Sequence, residues 1–155
     1  MRNTRMLMIA SLLLAPAAHA APACEDAAGV ARAFFEATSG DDGRVLDAPA
    51  ALVSPAFAKA LREERACQVR EEGICTIDSD PWLDGQDGEI DSAVRYGWKP
   101  VSATAGEVTL SYSVWKSAHL TRLPMVRHGK GCWQVDDVIT NGGQSVRKIL
   151  AQPVP

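Results

Sequence analysis

The sequence predicts an α+β domain in which N-terminal helices pack on a curved antiparallel sheet and a short helix closes the chain. Apolar residues recur at helical spacing between residues 25 and 70, whereas from Ala93 onward they alternate with polar residues as in strands. Helices first and a meander of strands afterwards is the order of a fold that segregates its helices to one face of a sheet. With the first 20 residues set aside, 135 remain, within the ~100 to 200 residues of one compact domain.

Those first residues, MRNTRMLMIASLLLAPAAHA, place Arg2 and Arg5 ahead of an apolar run from Met6 to Ala15 and end in Ala18-His19-Ala20. A charged start, an apolar centre and a small-residue cleavage site make a secretory signal peptide, cut after Ala20, so residues 21–155 form the expected single domain. A lipoprotein reading around Cys24 is disfavoured, because Ala21 stands where that motif wants Leu. The apolar run is shorter than the roughly 20 residues a membrane span needs, and no later stretch approaches that length. The expected location is outside the cytoplasm, in the periplasm.

Each element has its own signal. Glu25 to Thr38 reads as an amphipathic helix, with Val30, Ala33, Phe34 and Ala37 on one face, Glu25 and Asp26 at the positive end of its dipole, and Ser39-Gly40 closing it. After Asp41-Asp42-Gly43, Val45 to Val53 suggests a short helical turn. Ser54-Pro55 opens a second helix running to about Arg70, since Ser caps well and Pro suits the first turn. Phe57, Ala60 and Leu61 form its apolar face. Strands are expected over Ala93 to Ala105, over Val108 to Val114, over Leu120 to His128 and over Trp133 to Ile139, with Gly129-Lys130-Gly131 as the last hairpin. Pro124 marks an edge or a bulge, which would leave the third strand open to a partner. Gln144 to Ala151 predicts the closing helical turn.

All four cysteines, Cys24, Cys67, Cys75 and Cys132, follow the signal peptide, and an even count in an oxidising compartment favours disulfides. Cys67 to Cys75 is the local pairing and leaves Cys24 to Cys132. Neither a C-x-x-C redox pair nor a zinc spacing is present, and no cofactor motif appears. Charge is segregated: residues 21 to 70 carry eight acids and six bases, residues 71 to 91 eight acids and no base, and residues 92 to 155 three acids and eight bases. An acidic centre beside a basic C-terminal half argues against nucleic acid, which wants a dominant basic surface, and allows a charged protein partner.

The AFFEA of the first helix, the central DSDPWLDGQD and the ending CWQVDDVITNGGQSVRKIL together resemble the exported domain-of-unknown-function family 3828, with its D-P-[FW]-x-x-x-Q-D element and its W-x-[IV]-D-D-[IV] strand before a short S-[LV]-R helix. The resemblance spans nearly all of the exported part. It implies the cone of helices on a bent sheet found in the nuclear transport factor 2-like superfamily. That cone hosts isomerases, dehydratases and non-catalytic binding modules alike, so it implies a fold and no single activity.

Three residues carry the enzymatic alternative. In Trp133-Gln134-Val135-Asp136-Asp137-Val138-Ile139, period-two alternation puts Asp137 on one face with Trp133, Val135 and Ile139. A carboxylate among apolar neighbours suits an isomerase or dehydratase base, with Tyr96 or Tyr112 donating to the developing oxyanion. The structural reading, which we favour, has Asp137 accepting hydrogen bonds from the Asn141-Gly142-Gly143 turn or from Ser145. His119 and His128 fall beside Lys116, Arg122, Arg127 and Lys130, where a solvated hairpin position is expected, and no nucleophile elbow accompanies them.

DSDPWLDGQD, residues 78 to 87, invites a calcium reading. In the EF-hand register starting at Asp80, Pro81 and Trp82 occupy the second and third positions, so the match fails where oxygen ligands are needed. No metal is assigned. The structural reading covers more of the motif: Asp80 makes an Asx-type turn, Trp82 and Leu83 plug the core, and Asp84-Gly85 turns the chain again. Asp80, Trp82, Gln86 and Asp87 are then the candidates for binding an unknown protein partner or small ligand. The expected protein is a secreted, non-catalytic binding module, of which an immunity or inhibitor-type protein is one concrete form.

Overall fold

A computed structural model describes residues 26–40, 44–129 and 131–152. The signal peptide expected over residues 1–20, Cys24, Asp41-Asp42-Gly43 and Lys130 lie outside the described residues. Helix α1 (Ala27–Thr38) leads through two 3-10 turns (Val45–Asp47 and Ala50–Leu52) to α2 (Pro55–Glu71). Strands β1 (Arg95–Pro100), β2 (Ala105–Val114), β3 (Ser117–Val126) and β4 (Gln134–Val135) follow, and α3 (Val146–Leu150) closes the fold. The strands form one antiparallel sheet in sequential order. The α+β order expected from the sequence is thus present.

Local chemistry sets the helix ends. Asp26 caps α1 by accepting from the Ala28 N–H at 3.0 Å. The buried stripe is Ala27, Val30, Ala31, Phe34, Phe35 and Thr38, so Thr38 takes the place expected for Ala37. Its hydroxyl is satisfied by donating to the Phe34 carbonyl at 2.7 Å. Ser54 caps α2 by accepting from the Phe57 N–H, as Ser before Pro predicts. Its own N–H donates to the Val135 carbonyl, fixing the start of α2 on β4. The end of α2 is stapled by the Cys67–Cys75 disulfide. Cys132 is also disulfide-bonded; Cys24, its expected partner, is outside the described residues.

Alternation on β2 and β3 is as read: Val108, Leu110, Tyr112 and Val114 face inward with Thr121, Leu123 and Met125. Phe34, Phe57, Trp82 and Trp133 fill the space between this face and the helices. At the β1 end, Trp98 packs edge-on to Trp133 and lies over Gly106, where a Cβ would fall 2.0 Å from the ring.

Two expectations need correction. The strand expected from Trp133 to Ile139 keeps only Gln134–Val135 in the ladder. Val135 pairs with Met125 and Ile139 bridges Arg122, so one strand takes four steps where the other takes three. The extra residue is a bulge opposite Pro124, which has no N–H to give. It breaks the alternation, and Val138 is buried beside Asp137. Pro124 thus marks the bulge and not an edge: β3 lies between β2 and β4, and the outer strands are β1 and β4.

Candidate functional site

The acidic loop folds on itself. Asp80 accepts from the Trp82 N–H at 2.8 Å, the expected Asx turn, while its N–H donates to the Gly85 carbonyl at 2.8 Å. Asp84 closes the turn in the left-handed region at φ 53° and packs against Gly142. Trp82 is 1% exposed, with Phe34 and Phe35 edge-on at 5.8 and 5.0 Å. Its indole N–H donates to the Thr38 carbonyl at 2.9 Å. Asp80 and Trp82 are therefore engaged in building the loop. The side chains of Gln86 and Asp87 are exposed and make no hydrogen bond or ion pair among the described residues.

A residue passed over in the sequence positions this loop. Glu64, 4% exposed in the middle of α2, accepts from the N–H groups of Thr76 and Ile77 at 2.9 and 3.1 Å and from Gln68 Nε2 at 3.0 Å. Burial pushes its carboxyl up, but the bonds from Thr76, Ile77 and Gln68 outweigh burial and hold it below the usual glutamate range. The signal was present: Glu64 continues the Phe57–Leu61 stripe, three residues before Cys67. An acid on an apolar stripe needs buried donors, and the stapled segment after α2 supplies them.

Cavities flank the loop on two sides. One, of about 530 Å³, lies between the first 3-10 turn, the end of α2 and Asp78 to Pro81. The other, of about 510 Å³, has Phe35, Trp82, Leu83 and Ile90 as apolar lining and Asp80, Gln86, Asp87 and Glu89 as polar lining. Asp80 lines both, and burial raises its carboxyl above the usual range against the bonds from Trp82 and Leu83. Among the described residues, no three His, Cys, Asp or Glu side chains gather as metal ligands.

The residues of the enzymatic alternative have separate partners. Asp137, 5% exposed, accepts from the N–H groups of Val138 and Arg147, both at 2.8 Å, and from Ser145 Oγ at 2.5 Å. Ser145, the residue foreseen, and Arg147 are donors at the start of α3, and no bond from the Asn141-Gly142-Gly143 turn reaches Asp137 among the described residues. Neighbouring Asp136 accepts from Ser54 Oγ at 2.6 Å and from Arg147 Nη1 at 2.8 Å, so the two aspartates knit α2, β4 and α3 together. The Tyr112 hydroxyl donates to the Trp82 carbonyl at 2.6 Å and meets Thr121 Oγ1 at 2.8 Å; burial pushes it up to about 12. Tyr96 packs under the Arg32 guanidinium of α1, 4.6 Å from the ring centre, and burial raises its hydroxyl too. No hydrogen bond links either tyrosine to Asp137 among the described residues.

The histidines divide. His128 is exposed, as expected, but His119 sits at the end of the inner face, its ring 5.8 Å from that of Tyr112. The cause is register: His119 pairs with Tyr112 and so shares its side of the sheet.

No described helix is long and apolar enough to cross a membrane. Comparisons of the chain with protein-family models, with curated proteins and with solved structures find no match.

Proposed function

We propose that the protein is an exported binding module without catalytic activity, built on the nuclear transport factor 2-like cone, and that it takes its ligand or protein partner beside the acidic loop. The observation that carries this reading is the division of labour within DSDPWLDGQD. Asp80 and Trp82 are consumed by the loop's own structure, while Gln86 and Asp87, without a side-chain partner among the described residues, line a cavity of about 510 Å³ beside Phe35, Trp82, Leu83 and Ile90. A concave apolar site with a few unengaged polar groups is the usual form of a ligand pocket. Asp80, Asp87 and Glu89 without a lining base favour a partner that presents a basic group. Membership of the exported family 3828 and a periplasmic location belong to the same reading, supported by the motif resemblance and by the disulfide between Cys67 and Cys75.

Two supports weigh against catalysis. Trp82, Phe34, Phe57 and Trp133 are buried in the core between the sheet and the helices, and Asp137, itself buried, is engaged by three hydrogen bonds. The test is capture from periplasmic extract at low salt by the wild type and by a Gln86→Ala/Asp87→Ala double variant. A protein held by the first and released by the second, with equal melting temperatures, supports the module. Equal recovery by both variants, or none by either, rejects it.

A further inference from the structure

The sheet carries a third cavity of opposite character. It is a shallow hollow of about 320 Å³ lined by Ser92, Arg95, Ser111, Ser113 and Lys116, with Ala93, Tyr112 and Ala118 completing the lining. Arg95 pairs with Ser111 across β1 and β2, and Ser113 with Ala118 across β2 and β3, on the side of the sheet away from buried Leu110 and Val114.

Its free polar groups are donors. Arg95 and Lys116 form no ion pair among the described residues, unlike Arg122 with Glu107 or Arg147 with Asp136. Ser92 Oγ accepts from the Ser113 N–H at 2.8 Å, which leaves its hydroxyl hydrogen to donate. The Ser111 hydroxyl has no partner among the described residues. Asp91, the neighbouring carboxylate, is engaged by Ser113 Oγ and by the Lys116 N–H, and tempers the Lys116 charge from beneath the turn. Two cations and two hydroxyl donors thus line the hollow, and no carboxylate is among its described lining residues.

The way Lys116 reaches this place is a second observation. Trp115 and Lys116 form the two-residue turn of the β2–β3 hairpin, with φ of 47° and 65°. Both positions need the left-handed region, where Asn-Gly is the ordinary choice and bulky side chains are strained. The preceding segment holds the turn in shape: the Trp115 N–H donates to the Glu89 carbonyl at 3.1 Å, and the Asp91 N–H to the Ser113 carbonyl at 3.0 Å. Lys116 thus stands in left-handed backbone at the rim of the hollow, and backbone strain of this kind clusters at ligand sites.

We propose that this hollow binds an oxyanion, the carboxylate or phosphate of a small ligand. Arg95 supplies forked donors, Lys116 a point charge, and Ser92 and Ser111 hydroxyl bonds. The inference does not depend on the acidic cavity, which has the opposite charge.

The test is an NMR titration of the wild type with inorganic phosphate, with acetate, and with sodium chloride at matched ionic strength. Saturable shifts of the Ser92, Ser111 and Ser113 amides are expected at millimolar anion, with affinity reduced about tenfold or more in Arg95→Ala and in Lys116→Gly. Lys116→Gly removes the cation while easing the turn, so weaker binding at an unchanged or higher melting temperature separates lost recognition from lost folding. Saturation by acetate alone assigns a carboxylate and by phosphate alone a phosphate group, and either supports the site. Shifts no larger than those from chloride, or full affinity in both variants, overturn it.

Discussion

The Trp82 indole N–H and the Thr38 carbonyl meet at 2.9 Å, joining the acidic loop to the last residue of α1. Final helical carbonyls have no partner within their own helix, and this one is buried where water does not reach. From the other side the Tyr112 hydroxyl donates to the Trp82 carbonyl. One residue of the loop thus ties the first helix to the centre of the sheet, and the loop is a structural joint before it is anything else.

Replacing Trp82 by Phe keeps a ring against Phe34 and Phe35 but leaves the Thr38 carbonyl unpaired, at a cost of about 1–3 kcal/mol. Trp82→Ala adds a cavity and costs about 3–5 kcal/mol. Denaturant unfolding measures both. A Trp82→Phe variant as stable as the wild type would show that the bond contributes nothing.

Asp137→Asn tests the node at α3. An amide keeps the shape but loses the charge that accepts from Ser145 and Arg147, so about 1.5–3 kcal/mol of stability is expected to go. A double-mutant cycle with Ser145→Ala should show positive coupling, because the two side chains touch. Independent, additive losses would contradict the geometry, and an unchanged stability would reopen a catalytic role for the aspartate.

Much of this was legible in the residues. Ser54 before Pro55, the alternation from Val108 to Val114 and the Asx turn at Asp80 each follow from one local rule, and each stands in the structure. The end of the chain was less legible, because the last strand depends on what Pro124 withholds in the strand before it. Trp133 to Ile139 alternates well enough for a strand, yet a partner residue without an N–H forces a bulge. Glu64 was missed for a related reason: its donors, Thr76 and Ile77, come from a segment brought back by the Cys67–Cys75 bridge. That Gln86, Asp87 and Arg95 have no side-chain partner among the described residues is a property of three-dimensional neighbours and has no signature along the chain.

Buried Glu64 and half-buried Asp80 should bend the pH dependence of stability in opposite directions. Glu64 is held below its unfolded value, so it contributes stability above that value, near pH ~4.3, and the contribution is lost as pH falls through the folded one. Asp80 is raised, so the folded state binds its proton more tightly, and stability falls as pH rises from the unfolded value of ~3.9 through the folded one. Thermal melts across that range should therefore show less acid sensitivity in Glu64→Gln than in the wild type. Asp80→Asn, which keeps an oxygen for the Trp82 N–H, should gain on the wild type as pH rises, whereas Asp80→Ala loses the turn and should be destabilised throughout. Parallel curves for Asp80→Asn and the wild type would mean that the carboxyl titrates alike in the folded and unfolded chain.

The hairpin turn gives the last prediction. Trp115 and Lys116 occupy left-handed backbone that costs a side-chain-bearing residue about 1–2 kcal/mol, and glycine escapes most of that penalty. Lys116→Gly gives the unfolded chain more freedom, an opposing entropic effect of about 0.4–1 kcal/mol, so a net gain of up to about 1 kcal/mol is expected. The Lys116 N–H bond to Asp91 belongs to the backbone and survives the substitution. Denaturant midpoints of the wild type, Lys116→Gly and Lys116→Ala decide the point, with alanine expected to bring no comparable gain because its Cβ meets the same backbone restriction. A gain in both would place the cause in the removed charge, whose repulsion with Arg95 would then be the larger effect. A gain confined to glycine identifies backbone strain, and with it a turn whose sequence keeps a cation at the expense of stability.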